Sequence, residues 1–226
     1  LVVPEINGSS IKKSNKIIAN PNCSTIQMVL ALKEIHKRFI IDRIVVSTYQ
    51  SVTGTGAAAV KQMMDERNEV ESDKVYPHPI DKNCFPHGGD FLPNGYTTEE
   101  IKLVDETRKI FNSPEIKVTA TVVRIPVIGG HSMAVNVNTK TPFKIEEIYD
   151  AFEATPGVII KNDNLNFDYP MPLTAHERNE VFVGRIREDN TIENGLNMWI
   201  VADNLRKGAA TNAVQIAEYL INNKLV

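Results

Sequence analysis

The stretch Ala19-Asn20-Pro21-Asn22-Cys23-Ser24-Thr25-Ile26, residues 19–26, places a thiol where an extended run gives way to a helix. Pro21 fixes its own φ and has no backbone N–H to donate, so the apolar run before it ends there. Asn, Ser and Thr are favoured at helix N-termini, and apolar residues recur at roughly helical spacing from Ile26 to Phe39. The sequence therefore predicts that Cys23 lies at or just before the first turn of a helix.

This position makes Cys23 a candidate nucleophile. Unpaired N–H groups and the helix dipole favour a thiolate at a helix N-terminus, and they can lower a thiol pKa from about 8.5 to roughly 3.5–7.5. The alternative is a small buried apolar side chain, as most unpaired cysteines are. On this stretch alone the two interpretations are equally open.

The composition limits the classes of protein to which the chain can belong. With 226 residues and 42% hydrophobic content, it is long enough for one large domain, or for one domain plus pieces of another. A net charge of -3 gives no electrostatic case for binding nucleic acid or an anionic membrane. Two cysteines are too few for a disulfide framework, which favours a reducing, cytoplasmic setting. The chain opens with Leu1-Val2-Val3-Pro4, and we expect it to be part of something longer.

Downstream of the Cys23 helix, residues 42–50 form a β-branched run that predicts a strand ending at Gln50. A glycine-containing turn, residues 51–56, then leads into a helix that starts near Ala57. We expect the amides of this turn to face outward and to suit an anion, although the turn lacks the GxGxxG dinucleotide fingerprint. Upstream, residues 1–4 and 16–19 are predicted as short strands.

Residues 70–95 have no regular periodicity and contain four prolines. A loop of this length is usually functional or contacts a partner. Cys84-x-x-His87, with His78 nearby, is half of a zinc spacing, but no second pair of ligands is visible and we predict no metal site. Thr97 and Glu100 then form a capping box at the start of the next helix.

Two strands, residues 116–127 and 131–138, flank Gly129-Gly130. If they pair around this glycine turn, Arg124 and His131 lie close together at one end of the sheet. A guanidinium in so apolar a strand requires an anionic partner. The remaining chain predicts a helix beginning at Thr141-Pro142, and then the elements at residues 158–160, 180–187, 196–201 and 208–221.

One cysteine at a helix start, one histidine beside a glycine turn and one arginine in a strand suit a thiol acyl-transfer site. A Cys/His protease would need the same pair without the arginine. Spacing alone does not separate these two possibilities.

Four motifs, in order from end to end, resemble those of aspartate-semialdehyde dehydrogenase. They are residues 20–25 (Asn-Pro-Asn-Cys-Ser-Thr), residues 49–54 (Tyr-Gln-Ser-Val-Thr-Gly), Arg124-Ile125-Pro126-Val127 with Gly130-His131, and residues 203–210 (Asp-Asn-Leu-Arg-Lys-Gly-Ala-Ala). The related acyl-phosphate reductase of arginine synthesis carries Gly-Cys-Tyr-Pro around its nucleophile, whereas this chain has Asn-Cys-Ser-Thr.

The resemblance implies an α/β fold in which a mixed β-sheet is flanked by helices, like the C-terminal domain of glyceraldehyde-3-phosphate dehydrogenase. It assigns residues 1–21 to the tail of a Rossmann dinucleotide-binding domain and residues 22–207 to a catalytic and dimerisation domain. Residues 208–226 would be a helix returning to the dinucleotide-binding domain. The family's N-terminal dinucleotide-binding half is absent from this sequence.

The resemblance also implies roles for individual residues. Cys23 would form a thioacyl intermediate, Gln50 would orient the substrate and His131 would act as acid and base. Arg124 would hold the substrate carboxylate. Two further groups are implied: Glu99, Lys102 and Asn22 near substrate and phosphate, and Ser51, Gly54 and Asn204 near the cofactor.

The implied reaction is the NADP-dependent reductive dephosphorylation of 4-phospho-L-aspartate to L-aspartate 4-semialdehyde, on the route to lysine, threonine and methionine. The implied assembly is a homodimer or a tetramer. Two alternatives remain: a non-catalytic, dimer-forming fragment, and the related reductase that acts on N-acetyl-glutamyl phosphate.

Overall fold

The structure, a computed structural model, describes residues 1–71 and 73–226 and contains one mixed sheet with helices packed against it. The helices are α1 (Pro4–Asn7), α2 (Cys23–Phe39), α3 (Ala57–Arg67), α4 (Thr98–Phe111), α5 (Ile145–Glu153), α6 (Pro172–Ala175) and α7 (Thr211–Asn222). The strands are β1 (Ile41–Gln50), β2 (Lys117–Arg124), β3 (His131–Thr139), β4 (Val158–Ile160), β5 (Val181–Asp189) and β6 (Gly195–Ala202). Short 3-10 turns cover Gly8–Ser10 and Val52–Thr55, and a π turn covers Arg206–Ala210.

The strand order is β2-β1-β3-β6-β5-β4. The outer pairs β1/β2 and β4/β5 are parallel, whereas the three central pairings are antiparallel. Alternate side chains of the strands point towards α2, α4 and α5 and form the main apolar core with them. This arrangement confirms the predicted mixed sheet flanked by helices.

Helix α2 is central to the fold because it carries the candidate nucleophile on its first turn and lies against the buried face of the sheet. Its N-cap is Asn22, whose Oδ1 accepts from the amides of Ser24 and Thr25. Most of its residues are buried, including Met28, Leu32 and other core members, so packing holds the helix in place along its whole length. Burial of this extent fixes where the first turn sits relative to the sheet.

The predicted strands at residues 1–4 and 16–19 are wrong. Pro4 instead begins α1, a position that suits proline because the first helical N–H has no partner anyway. The Val3 amide donates to Asn7 Oδ1, which closes the helical turn. Val2 keeps one backbone hydrogen bond, to the Ala19 carbonyl, and no ladder follows from it.

The predicted pairing of β2 with β3 is also wrong, because β1 lies between them. The connection after β2 crosses the end of β1, where the Ile125 amide donates to the Gln50 carbonyl and the Val52 amide donates to the Val127 carbonyl. The last residue of β2 and the first residue of β3 still lie at the same end of the strands. Arg124 and His131 are therefore neighbours, but across β1 rather than across a hairpin.

Helix α5 begins at Ile145, three residues later than Pro142 predicts. The amides of Lys140 and Thr141 donate to the carbonyls of Ile40 and Phe39, so the chain stays extended beside the start of β1. The helix starts only where the Glu147 carboxylate accepts from the Lys144 amide.

The two ends of the chain meet. Lys207 Nζ, almost fully buried, lies 2.7 Å from Glu5 Oε1, and Asn212 Nδ2 donates to the Val2 carbonyl and to Asn20 Oδ1. Within the described residues, no helix is long and apolar enough to cross a membrane.

Candidate active site

One edge of the sheet collects most of the predicted site residues. Gln50 ends β1 and lies opposite Arg124, which ends β2, while His131 begins β3 and lies opposite Ala202 at the end of β6. The N-terminus of α2 reaches the same edge, since Gln50 Nε2 donates to Ser24 Oγ at 3.1 Å. The fold thus brings Cys23 and the polar strand ends together.

Asn22 holds the start of α2 through each of its polar groups. Besides capping the helix, its Nδ2 donates to Glu99 Oε1 at 2.6 Å and its backbone amide donates to Glu106 Oε2 at 2.8 Å. Both carboxylates belong to α4. The residue before the thiol is therefore tied to a second helix.

The expected acidic thiol is not found at Cys23. Burial and, to a smaller extent, the Glu99 carboxylate raise its pKa to about 11, against the opposing effects of Ser24 and the Arg124 guanidinium. The helix start is as predicted, but desolvation and a nearby negative charge outweigh it. In this state the half-buried thiol is protonated at neutral pH.

The influence of Glu99 can be tested directly. Glu99→Gln removes the negative charge that raises the thiol pKa, so we expect the midpoint of the pH profile for Cys23 alkylation to fall. At a fixed pH below that midpoint, iodoacetamide should then label Cys23 faster, by up to about ten-fold for each unit of pKa change.

The control for this experiment is Asp105→Asn, which removes an exposed carboxylate from the same helix. It should leave the profile unchanged. An unchanged midpoint in Glu99→Gln would show that burial alone sets the acidity of the thiol.

Arg124 is 7% exposed and has no carboxylate within salt-bridge distance among the described residues. Its Nη1 donates to the Ser51 carbonyl at 2.7 Å, and its buried Nε has no partner. Because Nη1 is occupied, the Nε–Nη2 edge is the part of the planar group that remains for a ligand. Burial of a guanidinium without an anion is costly, so the predicted anionic partner stays an expectation.

The irregular segment before α4 forms one wall around Arg124. Phe85 pairs with Arg124 through two backbone hydrogen bonds, and the Tyr76 ring lies 6.0 Å from the guanidinium carbon. Gln62 Oε1 accepts from the Tyr76 amide, and Glu66 Oε2 accepts from the Ile80 amide, so α3 holds the segment in place. The segment therefore packs against a predicted site residue, and its functional role stays a prediction. No periodic pattern singled out Tyr76.

His131 is fully buried beside this arginine. Burial, with the positive charge of Arg124, lowers the pKa of its imidazole to about 3, so the ring is neutral at neutral pH. The Ser51 amide donates to Nδ1 at 3.1 Å, which places the proton of the neutral ring on Nε2. Nε2 is buried without a partner within the described residues.

The glycine turn after Gln50 does not have the outward-facing amides that we expect from its sequence. The Gly54 amide donates to the Ser51 carbonyl, the Gly56 amide donates to the Thr53 carbonyl, and the Thr53 amide donates to Ser51 Oγ. A Cβ at Gly54 would lie 2.9 Å from His131 Nε2, so a side chain here would press on the ring. The turn's role is close packing rather than anion binding.

Asn204 follows β6 and is almost fully buried. Its Oδ1 accepts from Thr53 Oγ1, which joins it to the glycine turn, and its Nδ2 makes no hydrogen bond with the described residues. Lys102, by contrast, is largely exposed and lies 3.5 Å from Glu99 on the first turns of α4.

Cys84 is exposed on the irregular segment. The His87 ring stacks on Phe91, whereas the His78 ring lies tilted beside Phe85. Among residues 1–71 and 73–226, no group of three or more metal-ligating side chains is found. Three residues of the site were missed from sequence: Ser24, Tyr76 and Glu106. Only Ser24, which adjoins the thiol, carried a local signal.

Comparisons with known proteins show the family to which the chain belongs. Residues 32–207 match the family described as semialdehyde dehydrogenase, dimerisation domain. Aspartate-semialdehyde dehydrogenase of Aquifex aeolicus is 50% identical over 234 aligned residues, which cover 100% of this chain and 69% of the relative.

Solved structures give the same result. That of aspartate semialdehyde dehydrogenase II complexed with ASA, from Vibrio cholerae, is 45% identical with a TM-score of 0.92, covering 98% of this chain and 67% of that one. A Candida albicans structure with NADP has the same fold, with 24% identity and a TM-score of 0.72, over 99% of this chain and 63% of that one.

Proposed function

Because this chain belongs to the aspartate-semialdehyde dehydrogenase family, we propose that the sheet edge around Cys23 is its active site, and that the reaction proceeds through a thioester on that cysteine. The substrates would be 4-phospho-L-aspartate and L-aspartate 4-semialdehyde, interconverted with release or uptake of phosphate. The observation that carries the assignment is Arg124, a buried cation without a counter-ion among residues 1–71 and 73–226, at the edge that also holds the thiol.

Cys23 is the nucleophile in this proposal. In the reductive direction its sulfur attacks the C4 carbonyl of the acyl phosphate, the C–O bond to phosphate breaks and a thioester remains. A thiol with a pKa near 11 must lose its proton as it attacks, and the departing phosphate takes this proton up. The resting state is then a protected thiol that reacts only within the assembled site.

Arg124 holds the α-carboxylate of the substrate. Its Nε–Nη2 edge offers two parallel donors, whereas Nη1 is anchored on the Ser51 carbonyl. Gln50, fixed by Ser24 one residue after the thiol, orients the reacting carbonyl. Together they align the C4 carbon with the sulfur.

His131 acts through Nε2. As a neutral ring with its proton on that atom, it donates a hydrogen bond that stabilises negative charge on the substrate oxygen. Its Nδ1 is held by the Ser51 amide, so the ring keeps its orientation during the reaction.

The nicotinamide cofactor of this dehydrogenase family supplies or accepts the hydride when bound, and we propose that it is NADP. The residues fit such a group: Asn204 is buried with an Nδ2 that has no partner among the described residues, and it lies beside the turn containing Ser51 and Gly54. A free amide donor on a largely buried residue suits the carboxamide of a nicotinamide ring.

Glu99, Lys102 and Asn22 are proposed to contact substrate and phosphate. Lys102 is exposed at the mouth of the site and offers a mobile positive charge. Asn22 uses one Nδ2 hydrogen on Glu99 and retains the second for a phosphate oxygen.

The test is an assay of the full-length protein with L-aspartate 4-semialdehyde. NADPH should form over many turnovers only when both NADP and phosphate are present, and formation should be slower with NAD. Activity on N-acetyl-glutamate semialdehyde instead would identify the related reductase, and inactivity with both aldehydes would favour the non-catalytic alternative.

We also propose a homodimer formed through the outer face of the sheet. This face carries half-buried residues from four strands, among them Val45, Tyr49, Ala134 and Trp199, and helices α2, α4 and α5 lie on the other side. The matched family is described as a dimerisation domain.

The proposed domain boundaries are those predicted from the sequence. Residues 1–21 and 208–226 belong with a dinucleotide-binding domain, and residues 22–207 form the catalytic and dimerisation domain.

The dimer is tested by Ala134→Glu, which places a charge at the centre of this face without filling the core. We expect sedimentation to report two chains for the wild type and one for the variant, because a charge buried between two sheets has no partner. Ile17→Glu, at a fully exposed apolar position, is the control and should stay dimeric. A dimeric Ala134→Glu protein would place the interface elsewhere.

A further inference from the structure

Glu106 lies outside the motifs that the resemblance covers, on the second half of α4. Its Oε2 accepts from the backbone amide of Asn22 at 2.8 Å, and this is the residue immediately before the candidate nucleophile. Burial raises the pKa of this carboxyl above its ordinary value, against the hydrogen bond from Asn22. Glu106 is thus a half-buried carboxylate that binds the backbone amide next to Cys23. None of the catalytic steps described above assigns it a role.

The geometry of α4 explains how it reaches that amide. Glu99 and Glu106 are seven residues apart, two helical turns, so both project from the same face towards α2. Glu99 accepts from the side chain of Asn22, and Glu106 accepts from its main chain. The two contacts fix both the position and the rotation of one residue.

Asn22 has no other restraint of comparable strength on its N-terminal side. The preceding Pro21 lacks a backbone donor, and Asn22 Oδ1 is occupied by the amides of Ser24 and Thr25. Without Glu106, the Asn22 amide would be left unpaired at the entry to the helix. The first turn, with the thiol on it, would then be held only through side chains, by the cap and by the contacts of Glu99 and Gln50.

We propose that Glu106 is a positioning residue for the reaction, which acts by fixing the Asn22 amide and thereby the sulfur of Cys23. The inference rests on the proposed function insofar as it concerns turnover. It acts as a hydrogen-bond acceptor and not through its charge, since Glu99, rather than Glu106, is the carboxylate that raises the thiol pKa.

The experiment compares Glu106→Ala, which removes the acceptor, with Glu106→Gln, which keeps it, in the full-length protein. Glu106→Ala should lower kcat by roughly 10- to 100-fold, as displacement of a reacting group by about 1 Å does, with KM changed less than about three-fold. Glu106→Gln should restore most of the turnover. Asp105→Asn, on the exposed side of the same helix, is the control and should match the wild type.

The second readout is alkylation of Cys23 by iodoacetamide, followed by peptide mass spectrometry with Cys84 as the internal reference. Loss of the tether should expose the thiol, so Glu106→Ala should be labelled several-fold faster and Glu106→Gln at the wild-type rate. This readout does not need the dehydrogenase reaction. If labelling responds as expected in a protein without that activity, the proposed function fails and the positioning role stands.

Three results would overturn the proposal: turnover and labelling of Glu106→Ala both within two-fold of wild type, a Gln variant as impaired as the Ala variant, or lower turnover with unchanged labelling. If Glu106→Ala does not fold, Glu106→Met takes its place, because it fills a similar volume without an acceptor.

Discussion

Replacing Cys23 with serine is expected to reduce the turnover of the full-length protein by at least about 10³-fold, the largest effect of any single substitution in this site. Serine matches cysteine in shape, so Asn22, Glu99 and Glu106 keep their contacts and the fold is preserved. The hydroxyl is a far weaker nucleophile than the thiol. It also forms an ester, which is reduced less readily than a thioester.

The control is Cys84→Ser, which alters the exposed cysteine of the irregular segment. It should retain the full activity. Substrate binding should also survive in Cys23→Ser, since Arg124 is untouched. A Cys23→Ser protein that keeps more than about a tenth of its turnover would contradict covalent catalysis by this residue.

Replacing Arg124 with lysine is expected to have the next largest effect. Lysine keeps the positive charge, but it meets a carboxylate as a point charge and cannot use two parallel donors. Loss of a charge-assisted contact of about 1.5–3 kcal/mol corresponds to roughly 10- to 200-fold in kcat/KM. The anchor on the Ser51 carbonyl is also lost or redirected, so the cation would move within its pocket.

The cause of that loss can be identified with a substrate analogue that lacks the α-carboxylate. Wild type has no contact to lose there, so the difference between wild type and Arg124→Lys should shrink. Equal losses with both substrates would show that Arg124 is structural. The assignment of an amino-acid substrate would then rest on similarity to the family alone.

The sequence predicted the site better than it predicted the strands around it. Cys23, Gln50 and Arg124 were each placed at one end of a helix or strand. Ends of strands that lie on the same side of a sheet are near one another in either strand order considered for β1, β2 and β3. The order itself was wrong for β2 and β3, because a glycine turn between two strands has the same signature whether or not a third strand intervenes. His131 reached its position by either route.

The acidity of the thiol illustrates why electrostatics could not be predicted. A helix start is a local feature and can be read from residues 22–25, whereas burial and the approach of Glu99 depend on a helix far along the chain. Glu106 and Tyr76 could not be predicted from the sequence for the same reason. Each acts through a contact with a residue that is distant in sequence, and neither disturbs the local pattern.

The most direct test of the central claim is to look for the thioester on Cys23. The full-length protein, mixed with L-aspartate 4-semialdehyde and NADP but without phosphate, has no acceptor to release the acyl group. We predict a burst of NADPH close to one equivalent of active sites, and one aspartyl group on the peptide containing Cys23 that hydroxylamine removes. A burst-free reaction with no adduct on that peptide, or an adduct on Cys84, would contradict the account.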